Sequence, residues 1–144
     1  MRNRVQGFSF IEVLTVLAMT AVMSAIAWPS FEAQLCKTRR ADALVAVAKI
    51  QGAQERLRSR GSRYGDLNEI GSPVASAAGH YTLQMTAFDA DGYELQVVAR
   101  GAQSHDADCR YLVVRAVGMN LSHASGGNAD VANGASANQR CWSL

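Results

Sequence analysis

The chain has 144 residues, with 14 Lys+Arg against 12 Asp+Glu and a formal net charge of +2. That length gives one small domain plus an additional segment. Arg2 and Arg4 account for the whole excess, so beyond residue 7 the charges balance, and bulk electrostatics gives no argument for a nucleic-acid partner.

Residues 8–28 form an almost wholly apolar run, interrupted by Ser9, Glu12, Thr15, Thr20 and Ser24. As a helix it reaches about 30 Å, enough to cross a bilayer. The basic leader ahead of it stays in the cytoplasm, and everything after it lies on the far side. An ordinary secretory signal is the simpler alternative, with Ala25-Ile26-Ala27 as a cleavage site before Trp28. Three features oppose it: a carboxylate in the run, a run longer than a signal needs, and Gly7 at the boundary between leader and run. A plain anchor leaves Glu12 without a purpose.

Cutting the chain between Gly7 and Phe8 supplies one. The new amino terminus then starts the helix, and Glu12 becomes its fifth residue. An amine and a carboxylate about 4 Å apart attract by roughly 4 kcal/mol at an effective dielectric near 20. An acid at the centre of a membrane helix costs about 3 kcal/mol, and less near an end. Pairing, within one helix or between adjacent copies, therefore offsets the intrusion.

The stretch GFSFIEVLTVLAMTAVMSAIAWPSF resembles the class III signal and N-terminal helix of type IV pilins. The resemblance implies that a prepilin peptidase cuts after Gly7 and methylates Phe8, and that Glu12 promotes docking into the growing filament. Pro29 falls at the family's helix-bending proline and Phe31 where an aromatic is usual. Phe10 replaces a common leucine and Ala21 a frequent glycine, so melting of the mid-helix is not implied.

Beyond Pro29 the helical spacing continues, with Leu35, Leu44, Val45, Val47, Ala48, Ile50 and Leu57 among charged residues. The proline kinks the helix without ending it. Gly52 weakens it by about 1 kcal/mol relative to alanine, and Gly61 ends it. The segment TRRADALVAVAKIQGAQERLRSRGSRYGDL also looks like that of the PilE-type minor pilins.

Arg56, Arg60 and Arg63 share a helical face if the helix runs that far, and such cations can contact DNA phosphates. The competing reading is structural: arginines in a last turn complement the helix dipole and keep a surface soluble. Tyr64 is the segment's lone aromatic, so no stacking platform is indicated.

From residue 80 the pattern turns to strands. HYTLQMTAF places Tyr81, Leu83, Met85 and Ala87 on one face, and GYELQVVAR places Tyr93, Leu95, Val97 and Ala99 likewise. Asp89–Gly92 joins them as a hairpin turn. RYLVVRAV, residues 110–117, is a third strand of ambiguous parity. The expected fold is α+β: a type IV pilin fold in which one long N-terminal helix packs on a 3-4-stranded antiparallel sheet with a C-terminal disulfide-bounded loop. Residues 118–140 are that loop. Its few large apolar residues cannot order it by burial, so a Cys109–Cys141 bond, stabilising by about 3–4 kcal/mol on the chain-entropy model, is expected in an oxidising compartment. Two reduced buried thiols are the alternative. Cys36 remains as a helix thiol.

The expected divisions are a leader at 1–7, a membrane and filament-core helix at 8–28, an amphipathic half at 29–60, and a head at 61–144. No enzyme, cofactor or metal site is expected. His80, His105 and His123 lack metal spacing, SHDADC commits its cysteine to the disulfide, and Asp89 and Asp91 lack the other oxygen ligands of a calcium loop. The resemblance implies a minor pilin that supports adhesion, twitching motility or DNA uptake. Its implied partners are other pilin subunits, a prepilin peptidase and the inner-membrane assembly platform. Its implied place is the bacterial inner membrane, as a single-pass prepilin with the head in the periplasm, and then the surface pilus. A DNA-binding competence pilin and a type II secretion pseudopilin are the alternatives.

Overall fold

The computed structural model describes residues 7–142. Most of the leader, with Arg2 and Arg4, lies outside the described residues. The elements are α1 (Phe10–Gly61), β1 (Tyr81–Phe88), β2 (Gly92–Ala99), a 3-10 helix (Gly101–His105), β3 (Tyr111–Val117), β4 (Asn120–Gly126) and α2 (Ala135–Cys141). The chain divides into two units between Leu35 and Cys36.

In the first unit, α1 is apolar and exposed, and it is long and apolar enough to cross a membrane. Three of its hydroxyls bond back to the helix. Thr15 donates to the Glu12 carbonyl at 2.9 Å, Thr20 to that of Val16 at 3.0 Å, and Ser24 to that of Thr20 at 2.8 Å. Such bonds let Ser and Thr enter an apolar phase without a bare polar group. Pro29 lies inside the helix.

In the second unit, four antiparallel strands follow the order β1-β2-β3-β4. β2 alternates strictly, with Tyr93, Leu95, Val97 and Ala99 buried as its sequence expects. β1 follows that rule at Tyr81, Leu83 and the half-buried Met85, which packs against the core. A register shift between Met85 and Ala87 leaves Ala87 exposed, a correction to the simple alternation. β3 resolves its ambiguous parity by burying Leu112, Val113 and Val114 in succession, as a central strand covered on both faces does.

Helix residues 43, 47 and 50 join this core, and so do Tyr64 and Leu67 from the connection that follows α1. Val45 is about half exposed and Ala48 is exposed, so the buried stripe is narrower than the apolar pattern implied. Gln54 is fully buried on the same stripe. Its amide exchanges two bonds with the Gly65 backbone, at 2.6 and 3.0 Å. The region expected as a plain loop holds β4 and α2, tied by the Cys109–Cys141 disulfide with a Cα–Cα distance of 5.5 Å. Cys36 is buried outside that bond.

Assembly residues and a candidate nucleic-acid interface

Gly7, Phe8 and Ser9 precede the first turn of α1 and are exposed. Ser9 and Glu12 have the spacing of a capping box: the Ser9 carbonyl accepts from the Glu12 and Val13 amides, and the Ser9 N–H donates to Glu12 Oε2 at 3.4 Å. That single long bond satisfies only a fraction of a carboxylate's acceptor capacity. The hydroxyls of Thr15, Thr20 and Ser24 are settled within the helix; the Glu12 carboxylate is not.

The arginine group divides by environment. α1 ends at Gly61 and Ser62 takes φ 56, so Arg63 lies beyond the helix and shares no helical face with Arg56 and Arg60. Its guanidinium grips Glu69 through bonds of 2.6 and 3.1 Å and donates to the Tyr64 carbonyl at 3.2 Å. Those Glu69 bonds raise the Arg63 pKa above its ordinary value. Arg58 lies over the Tyr64 ring, 5.1 Å from its centre, and donates to that hydroxyl at 2.6 Å and to the Gly118 carbonyl at 3.3 Å.

Arg56 and Arg60 are exposed, and neither forms an ion pair among the described residues. Lys49 stands seven positions before Arg56, on the same helical face, and is equally exposed and without an ion pair. The three form a basic ridge about 16 Å long. Asp42 and Glu55 lie near it in sequence, but neither forms an ion pair with it among the described residues. Burial pushes the Asp42 carboxyl up, but bonds from Ser76, Ala78 and His80 outweigh that and hold its pKa below the usual range. Residues 36–144 hold twelve of the basic and ten of the acidic side chains, so this unit is positive although residues 8–144 balance. Lys49 was missed from sequence, although its spacing from Arg56 was the available signal.

Among the described residues no group of three or more His, Cys, Asp or Glu is placed to hold a metal ion. Residues 2–28 match the prokaryotic N-terminal methylation motif. Residues 29–113 match the family described as type IV minor pilin ComP, DNA uptake sequence receptor. No curated protein matches the chain.

Proposed function

The chain belongs to the type IV minor pilin family matched by residues 29–113, and we propose that it is cut between Gly7 and Phe8, methylated at Phe8 and docked through Glu12 into a pilus that binds DNA. Membership makes it a pilus subunit that assembles with other pilin subunits. It is anchored in the inner membrane as a prepilin and later carried on the surface pilus. The methylation motif adjoining the minor-pilin match is the observation that carries this reading.

Three physical points support the processing step. The Gly7–Phe8 bond sits in exposed backbone ahead of the first helical turn, where a peptidase can reach it without unwinding α1. Cleavage creates an amine four residues from Glu12. That amine meets the Glu12 carboxylate, whose bonding is incomplete. In our reading residues 8–28 then form the filament core, with neighbouring apolar helices replacing lipid, residues 29–60 continue the helix with its bend at Pro29, and residues 61–144 form the exposed head. A prepilin peptidase and an inner-membrane platform complete the partner set, and the chain itself is no enzyme.

For DNA, the ridge of Lys49, Arg56 and Arg60 is the better contact surface, because Arg63 is already held by Glu69. Its chemistry is phosphate contact without base reading. Full-length protein in nanodiscs, titrated with duplex DNA at several salt concentrations, tests this. Removing all three cations as K49A/R56A/R60A lowers the salt slope by about 2.7 if each meets one phosphate. An unchanged slope removes the ridge from the interface and leaves the pilin assignment intact. The bonded Cys109 and Cys141 sulfurs favour the pilus reading over a type II secretion pseudopilin, which free terminal thiols would support.

A further inference from the structure

A groove of about 530 Å3 opens between the last turns of α1 and the outer edge of β4. Gln51, Glu55 and Arg58 line its helix side; Met119, Asn120 and Leu121 line its strand side. The buried Gln51 Nε2 has no hydrogen-bond partner among the described residues, and an unmet buried donor is costly until an acceptor reaches it. Glu55 makes no ion pair among the described residues, and its carboxylate accepts only from the Tyr64 hydroxyl, at 3.5 Å. Arg58 is already engaged by Tyr64 and Gly118. The groove therefore offers one unmet donor and, beside the charged Arg58 guanidinium, a carboxylate that forms no ion pair among the described residues.

Its strand side is an open sheet edge. Ser125 exchanges both backbone bonds with Ala132, each at 3.1 Å, so its N–H and C=O point away from β3. Antiparallel pairing repeats every two residues, which turns the same groups of His123 and Leu121 outward. Among the described residues no backbone segment pairs with them. Ala132 thus fills one rung of an additional strand, and the next two stand empty. Met119, at the β3–β4 turn, is 98% exposed, and Leu121 is 50% exposed.

We infer that this edge receives an extended polypeptide strand from another protein chain, with a Lys or Arg opposite Leu121 reaching Glu55. Cross-strand neighbours share a face, and Leu121 pairs with the buried Ala116. The residue added opposite Leu121 therefore directs its side chain toward Gln51 and Glu55. Main-chain bonds supply affinity, and the alternate side chains supply selectivity. A nucleic acid fits worse: its phosphates carry acceptors only, whereas each rung needs a donor and an acceptor. The inference is independent of the DNA reading above.

The test uses isotope-labelled full-length protein in nanodiscs and the probe acetyl-Thr-Val-Lys-Val-Thr-Val-amide. The expected result is a shift of the Leu121 and His123 backbone amides and of the Gln51 side-chain amide. Glu55→Gln, or glutamate in place of the probe lysine, weakens binding by about fivefold or more. N-methylating the probe nitrogens that face β4 abolishes it, and methylating the alternate nitrogens does not. This last comparison leaves the protein untouched, so misfolding cannot imitate it. No shift at millimolar probe, indifference to the methylation pattern, or displacement of the probe by duplex DNA overturns the inference.

Discussion

Arg40 and Asp106 meet across 66 positions of the chain: Arg40 Nε donates to Oδ2 at 2.6 Å and a terminal nitrogen to Oδ1 at 2.8 Å. The other terminal nitrogen donates to the Arg140 carbonyl at 2.8 Å. One side chain of α1 thereby ties down both the 3-10 segment and α2. Gln103 adds bonds from its amide to the Cys36 carbonyl, the Tyr81 hydroxyl and Asp106. Burial works against the Arg40 charge, yet its bonds to Asp106 raise its pKa.

Arg40→Ala leaves Asp106 buried with its ionic partner gone, since that carboxylate is 4% exposed. Losing one member of a buried pair costs about 3–5 kcal/mol. Chemical denaturation monitored by tryptophan fluorescence measures the loss. The double change Arg40→Met with Asp106→Leu recovers much of it, because no unpaired charge remains.

Gly65→Ala is expected to destabilise the head by about 1–3 kcal/mol. An added Cβ would collide with Glu69 Oε2, which Arg63 and the Asp66 N–H hold in place, and would lie 2.6 Å from Leu57 Cδ2, beside the backbone that Gln54 holds. Gly52→Ala should act in the opposite sense. Its Cβ meets only Arg56 at 3.4 Å, an ordinary contact, and alanine gains about 0.5–1 kcal/mol in a helix interior. Paired denaturation curves check both signs at once.

These two glycines also mark how far the sequence could be read. Helical spacing carried α1 to Gly61, and strict alternation carried β2, because each places its large apolar residues on one face. Gln54 was hidden: nothing in its type announces burial, and its partner is backbone beyond the helix end. β4 was hidden as well, since NLSHASG has one large aliphatic residue. It is a strand because β3 needs a neighbour, and because Trp142 packs edge-to-face with His123 and donates to the Ala124 carbonyl at 3.2 Å. At the candidate interface, helical spacing grouped Arg63 with Arg56 and Arg60; the helix end at Gly61 and the Glu69 contact separate it from them.

His123 makes the head weaker in mild acid. Burial against the Trp142 ring, 4.7 Å away, lowers its pKa below the ordinary 6.5. The unfolded chain therefore binds this proton more readily. The stabilising contribution is whole above pH 6.5 and is lost as pH falls through the depressed folded value. Melting temperature measured from pH 8 to pH 5 should decline in the parent and decline less in a His123→Phe variant. Equal slopes would remove His123 as the cause.

The processing of the N-terminus is tested most directly by intact and N-terminal mass spectrometry of the protein sheared from the cell surface in pili. The expected chain starts at Phe8 and carries one added methyl group on its amine. Surface filaments whose subunits still begin at Met1, or a released chain that begins at Trp28, would contradict the account.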